Sequence, residues 1–379
     1  MNERAMRLAF VLFEWFPYGG MQRDLVKVVK ACQARAVVEN DVVEIDIHCL
    51  RWNGPEPEGA LVIEVQVPGF TNTTRRANFE RYVQEQVAGR YAQIIGFNRM
   101  AELDYYYGAD LSFTWRALHQ RPWWYRQTAR AKHYMRQEAA VFGPHSRTVA
   151  LLLSPLQRAQ YEAVHHTPSA RLIDLPPGIA REHCATARAS EQRAALRASL
   201  GLSDDALLVL QVGSSFNTKG VDRALLALAS LPAPLKRRVH YLLLGQDKSA
   251  RWLRRARRLG LAQVRIEAGR ADIPDCMQGA DLLLHPSRHE SAGMVLLEAV
   301  VAGLPVLTTA SCGYAFHVES AGAGCVCPEP FAQTALNDKL KTMLESDRST
   351  WRANGIAYGR TQNLYDMPQQ VAALLLART

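Results

Sequence analysis

The stretch ADLLLHPSRHESAGMVLLEAVVAGL, residues 280–304, decides the fold. Leu282, Leu283 and Leu284 run together between Asp281 and His285, as in a strand buried on both faces of a parallel sheet. A polar loop follows, then an apolar segment of helical length. Ser291 has the side chain of a helix N-cap, and Gly303 with Pro305 stops the helix. Gly293 falls in the first turn, where a missing side chain leaves the backbone N–H groups open to a ligand.

The same alternation continues outward in both directions. Strands are expected at 7–13, 42–50, 61–67, 92–95 and 147–153, then at 206–212, 239–244, 263–267, 281–285 and 305–308. Amphipathic segments such as 22–35, 77–90, 219–230 and 292–302 separate them. Short connections between strands and helices imply parallel sheets, and more than ten strands divide more naturally into two sheets than one. The fold class is therefore α/β, with two Rossmann-like doubly wound domains facing a central cleft. The boundary is placed in the Pro176-Pro177-Gly178 turn, giving domains 1–175 and 176–359, with a terminal helix in 360–379.

With 379 residues, 48% hydrophobic and 21% charged, the chain is long and apolar enough for large cores and does not read as disordered. Its net charge of +9 points to an anionic partner of unspecified kind. Seven cysteines without a CxxC pair support neither a zinc site nor a thioredoxin motif, and fit a reducing compartment. The apolar run at 8–13 is broken by Glu14 with no small-residue cleavage site after it, so it reads as a strand, not a signal peptide. No uncharged apolar stretch approaches a membrane span. These features place the protein in the cytoplasm, free or peripheral to a membrane.

Glu290 and Glu298 bracket the helix start. Eight helical residues rise about 12 Å, too far for a contacting acid–base pair but suited to the two ends of an extended ligand with a phosphate between them. A nucleotide sugar fits that description. The competing reading is a loop carboxylate and a solvated helix carboxylate. The apolar surroundings of Glu298 favour function, because a carboxylate there needs partners.

Lys219 follows a strand that ends at Gly213 and could neutralise a diphosphate as a point charge. The Lys-Gly order and the spacing are not those of a P-loop. Gly19 and Gly20 follow the first strand and permit close backbone approach, although an unliganded glycine turn is the commoner case. Asp104 closes the loop after the strand at 92–95, with a solvated carboxylate as the alternative.

Between Asp110 and Glu138 there is no acidic residue. The interval carries Arg116, Arg121, Arg126, Arg130, Lys132 and Arg136, interleaved with Phe113, Trp115, Trp123, Trp124, Tyr125 and Tyr134. This pattern suits an anionic membrane surface first and single-stranded nucleic acid second. A basic helix face over core tryptophans is the bland reading. A second cluster, Arg251, Arg254, Arg255, Arg257 and Arg258, reads as a solvated face.

The chain resembles the retaining glycosyltransferases of the GT-B fold with an E-x7-E signature, and among them those of lipopolysaccharide core assembly. The resemblance rests on FPYGGMQRD (16–24), GFNRM with LD downstream (96–104), LPPGI (175–179), LQVGSSFNTKGVDR (210–223), LLLHPSRHESAGMVLLEA (282–299) and AGLPVLTTASCGYA (302–315). It implies that the C-terminal domain binds a UDP-sugar and that the terminal helix crosses back to the N-terminal domain. By resemblance, Glu298 holds the ribose and Glu290 the sugar hydroxyls. Lys219 contacts the diphosphate, while Ala292, Gly293, Met294 and Val295 line the phosphate. Gly19 and Gly20 approach the donor phosphate and acceptor, and Asp104 lies near the reacting centre. Catalytic roles fall to Asp104, Lys219 and Glu290.

The resemblance also implies no cofactor and no metal, a lipopolysaccharide core acceptor, and peripheral attachment to the cytoplasmic face of an anionic inner membrane. Arg116, Arg121, Trp123, Trp124, Arg126, Arg130 and Lys132 would make that attachment, and nucleic acid is not an expected partner. Thr218 stands where an arginine is expected beside the lysine, which leaves Arg270 or Arg181 to compensate. The expected reaction is transfer of a hexose, with glucose foremost, to a heptose. Another glycolipid acceptor, or a non-catalytic basic module binding membrane or nucleic acid, are the alternatives.

Overall fold

A computed structural model describes residues 5–17 and 19–377, which form two compact units. Tyr18 of the glycine turn and the last two residues of the expected terminal segment lie outside the described residues. One unit runs to Gly178 and resumes at Asp366; the other is Ile179–Tyr365. The boundary lies beyond the expected one because Leu175 N–H still bonds to Leu152 O (2.8 Å), while Pro177 O accepts from Met367 N–H (3.2 Å). Residues 360–365 stay with the second unit. There the helix Ser349–Thr361 packs so closely that a Cβ on Gly355 would lie 2.4 Å from Val300 O.

The first unit is built on a parallel sheet of β1 (Met6–Trp15), β2 (Val43–Trp52), β3 (Leu61–Glu64), β4 (Gln93–Gly96), β5 (Tyr105–Gly108), β6 (Val149–Leu152) and β7 (Leu172–Asp174). Their order is β3-β2-β1-β4-β5-β6-β7. Residues 8–12 of β1 are buried without alternation, so both faces of the sheet are covered. The helix Gly20–Val38 buries Leu25, Val28, Val29, Cys32 and Ala36, a three-four spacing along one face. The helix Met367–Leu375 packs against it.

The second unit contains β8 (Leu207–Val212), β9 (Val239–Leu244), β10 (Val264–Glu267), β11 (Leu282–His285), β12 (Val306–Thr309) and β13 (Gly324–Cys327), all parallel, in the order β10-β9-β8-β11-β12-β13. Strand order reverses between β8 and β11, as it does between β1 and β4 in the first unit. At such a reversal the loops leaving the two carboxyl ends diverge and open a crevice for ligands.

Among the basic aromatic residues, Glu138 is the anchor. It is fully buried and accepts hydrogen bonds from Ser112 Oγ (2.6 Å), Phe113 N–H (2.7 Å) and Thr114 N–H (3.2 Å), which fixes the start of the helix Phe113–His119. Arg99 (3.0 Å) and His165 (2.9 Å) complete its shell. Burial alone would raise the carboxyl pKa, but Arg99, His165 and Ser112 outweigh it and hold it down to about 2. A depressed carboxyl stabilises the fold fully above its unfolded value near 4.5, and that contribution is lost as pH falls toward 2. Glu138→Gln is therefore expected to cost on the order of 3 kcal/mol at pH 7 and much less near pH 2. Melting temperatures measured across that range check this; a penalty that does not depend on pH would contradict it.

Candidate active site

Parallel strand order brings together two loops that the sequence holds far apart. β8 and β11 are neighbours, so the loop 213–220 and the loop 286–293 leave from adjacent carboxyl ends. Lys219 and Glu290, 71 residues apart, form an ion pair between Lys219 Nζ and Glu290 Oε1. The loops are laced by backbone contacts. Thr218 O accepts from Ser287 Oγ (2.9 Å) and Arg288 N–H (2.8 Å), and Lys219 O accepts from the amide of fully buried Gln211 (2.8 Å). Gly220 has φ +67°, and a Cβ there would lie 2.0 Å from Pro286 O, so only glycine fits the seam.

Glu290 is held from a second side by His285, the last residue of β11, whose Nε2 lies 2.7 Å from Glu290 Oε2. His285 is fully buried, and its Nδ1 has no partner among the described residues. Nε2 is thus the nitrogen that faces the carboxylate. Burial alone would raise the Glu290 pKa, but the charges and hydrogen bonds of Lys219 and His285 overcome it and drive the group well below the carboxylate range. The backbone of Glu290 is fixed as well, donating to Ser311 O (3.0 Å) and accepting from Gly313 N–H (3.0 Å).

His285, Glu290 and Cys312 bring one ligand atom each within 4.8 Å of one another. Burial pushes the Cys312 thiol up to about 12, so it keeps its proton at neutral pH. Lys219 already occupies the carboxylate. In this structure the trio is engaged internally, with Lys219 and His285 both on the Glu290 carboxylate.

The helix after this loop is Met294–Val301, two residues later than a cap at Ser291 would predict. Gly293 is the N-cap, with φ +91°, and no side chain caps the helix. Ser291 fails as a cap because the left-handed turn at Gly293 intervenes. Glu290 consequently sits in extended loop, not on the helix. The first-turn N–H groups lie beside Glu290, whose Cδ would be 3.6 Å from a Cβ on Gly293. Ala292 is buried, its carbonyl bonded to Tyr314 N–H (2.7 Å). Glu298, four residues into the helix, is buried at 7% exposure, with His183 Nε2 3.6 Å away.

Asp104 falls elsewhere, and Arg270 and Arg181 have local partners. Asp104 lies at the amino end of β5: its Oδ2 accepts from Ile94 N–H (2.8 Å) and its N–H donates to Ile94 O (3.0 Å). The loop 97–104 must cross the whole sheet to start a parallel strand, so its last residue arrives at the end opposite the ligand crevice. Asn98 holds the carboxyl end instead, accepting from Phe13 N–H (2.7 Å). Arg270 is committed locally, with both Nε (2.8 Å) and Nη2 (2.6 Å) on Asp272 and Nη1 near Glu267 (3.2 Å), and those carboxylates raise its pKa further. Arg181 stacks on Tyr365 at 4.0 Å.

Gly19 and Gly20 follow β1 and open the helix Gly20–Val38, Gly19 as its N-cap without a side-chain bond. In the basic segment, Trp123 is 70% and Trp124 56% exposed, on a short 3₁₀ turn Trp123–Gln127. Arg121, Arg130 and Lys132 are exposed and Arg126 partly so. Arg116 departs from this set: it is largely buried, its pKa lowered by desolvation and its Nε unpartnered among the described residues.

Residues 192–361 match the family described as glycosyl transferases group 1. The lipopolysaccharide glucosyltransferase WaaG of Escherichia coli (strain K12) is 37% identical over 374 residues, covering 98% of each chain. The chain belongs to the WaaG-type glycosyltransferase family. The crystal structure of WaaG, a glycosyltransferase involved in lipopolysaccharide biosynthesis, superposes with a TM-score of 0.91 at 36% identity, over 98% of this chain and 100% of that one. Anabaena HepE, solved with UDP-glucose, shares the fold at a TM-score of 0.73 and 20% identity, over 98% and 99%. This glycosyltransferase is thus an enzyme of the GT-B class, made of two Rossmann-like domains.

His285 is a candidate site residue that sequence reading passed over. Its signal was a polar side chain ending an all-leucine strand at the carboxyl edge. Its contact with the Glu290 carboxylate makes it a candidate positioning residue. For this glycosyltransferase, His285→Ala should lower kcat/KM about 10²-fold by freeing the carboxylate to move. His285→Gln, which keeps a donor, should recover part of it. Equal losses in the two variants would mean that His285 only fills space.

Proposed function

We propose that this enzyme transfers glucose from UDP-glucose to a heptose hydroxyl of the lipopolysaccharide core, with retention of the α-anomer. One observation carries the donor reading: Lys219 and Glu290 pair at the β8–β11 reversal, beside an uncapped helix N-terminus. The acceptor reading rests on the 37% identity with a lipopolysaccharide glucosyltransferase across 98% of both chains. Membership of an enzyme family sets aside the non-catalytic module.

The donor pyrophosphate would accept from the N–H groups of Gly293, Met294 and Val295, where the helix dipole favours negative charge. Lys219 would leave Glu290 for the phosphate and neutralise the departing UDP. Glu290, held by His285, would then accept hydrogen bonds from hexose hydroxyls. Glu298 would take the ribose hydroxyls, and Gly19 and Gly20 the acceptor side. Catalysis then comes from position and electrostatics, with the acceptor attacking on the face that UDP leaves and no metal taking part.

No helix among the described residues is long and apolar enough to cross a membrane. Exposed Trp123 and Trp124 beside Arg121, Arg126, Arg130 and Lys132 support peripheral attachment to the anionic cytoplasmic face of the inner membrane.

A UDP-sugar panel tests the donor. At about 100 times its Kd, a ligand of the native state adds roughly 2.7 kcal/mol of stability, a shift of several degrees in Tm. UDP and UDP-glucose should each give such a shift, and heptose-terminated core should accept the sugar. Absence of a shift with every UDP-sugar would refute the donor reading. Transfer to a different glycolipid alone would replace the acceptor.

A further inference from the structure

The helix Ala250–Arg258 carries five arginines and no acidic residue. Arg251, Arg254, Arg255 and Arg258 recur at i, i+3, i+4 and i+7, so they share one face and repel one another. The helix dipole accounts for cations in the last turn. It disfavours Arg251, which stands in the first turn. A solvated basic face would not be expected to run against the dipole in this way.

These four side chains, with Asn217 and Arg288, line a cavity of about 620 Å³. Two of the guanidiniums are already set in place. Arg251 Nη2 donates to Asn217 Oδ1 (2.7 Å), and its guanidinium lies 4.4 Å over the Trp252 ring. Arg288 forks onto both oxygens of Asp222, at 2.8 and 2.7 Å. Asp222 is the one carboxylate in the lining, and that fork uses it. Among the described residues, Arg254, Arg255 and Arg258 form no ion pair. Several planar forks around one carboxylate leave an excess of positive charge that matches the oxygens of a phosphate.

We propose that this cavity binds a phosphomonoester or pyrophosphate group at a site separate from the donor's. The proposal does not depend on the donor reading. It does place the occupant against the loops described above, since Arg288 Nη1 bonds to Asn217 O (2.7 Å) and Arg288 N–H to Thr218 O (2.8 Å), next to Lys219.

The test is calorimetric titration of the full-length protein with inorganic pyrophosphate, with UDP present in excess. Binding is expected to persist in Lys219→Ala. It should weaken at least tenfold in the triple variant Arg254→Ala, Arg255→Ala, Arg258→Ala, whose exposed positions leave Tm unchanged. No binding by the unaltered protein, or equal binding by the triple variant, overturns the site. Loss of binding in Lys219→Ala overturns it too, because the anion would then be occupying the donor position.

Phosphatidic acid vesicles identify the source of the phosphate once pyrophosphate binding has been lost in the triple variant. Reduced vesicle retention in that variant, with Trp123 and Trp124 intact, assigns the site to lipid headgroups. Unchanged retention assigns it to soluble phosphates.

Discussion

Lys219→Ala should lower transfer about 10²–10³-fold while the protein remains folded, the loss typical of removing one charge-stabilising group from a preorganised site. The donor KM should rise as well, because the ammonium is proposed to contact phosphate in ground and transition states alike. Both partners of the ion pair keep some contact with water, with side-chain exposures of 18% and 16%. The stability cost should therefore fall short of that for a fully buried pair, and Tm should drop only a few degrees.

A pH signature accompanies the loss of activity. Glu290 is held below the carboxylate range against its own burial, chiefly by Lys219 and then by His285. Its stabilising contribution is complete above the unfolded pKa, near 4.5, and fades as pH falls through the folded value. Removing Lys219 moves the folded value back up, so Tm in acid should depend less steeply on pH than in the unaltered enzyme. Steady-state transfer assays and melting curves between pH 3 and 7 read both effects. An unaltered turnover would remove Lys219 from the mechanism.

Glu290→Gln should give the opposite pattern in donor binding. The amide matches the carboxylate in shape but carries no charge. Lys219 then has no competitor for the pyrophosphate, so the donor KM should hold or fall. Turnover should still drop about 10²–10³-fold, because a neutral group holds the hexose hydroxyls less firmly as charge develops. The two variants together separate phosphate binding from sugar positioning. If both raised the donor KM equally, Lys219 and Glu290 would be acting as one binding unit, and the proposed division of labour would fail.

How far the sequence could be read depended on what each residue signals locally. The all-leucine β11 and the unbroken apolar run of β1 declared themselves as buried parallel strands. Tyr105–Gly108, Leu172–Asp174 and Gly324–Cys327 did not, being three or four residues long and without a long aliphatic run. The expected strand at 61–67 closes at Glu64.

Glu290, Glu298 and Lys219 were visible as chemistry in a recognisable setting. Their geometry was not, because the Lys219–Glu290 contact exists only through strand order. Ser291 has cap chemistry but lost to the backbone of Gly293. Asp104 looked like a crevice residue until the short β4–β5 crossover carried it to the far edge. Glu138 marked only the end of a basic interval in the sequence. Nothing local announced that it would gather Arg99, His165 and the start of a helix.

The seam at Gly220 and Pro286 has a practical corollary for re-engineering. Because one loop has no room for even a methyl group against the other, neither can be varied as an independent module. Anyone seeking a different donor by grafting segments from a relative should transplant 213–220 and 286–293 as a matched set, since a chimera carrying only one would inherit a mismatched clasp.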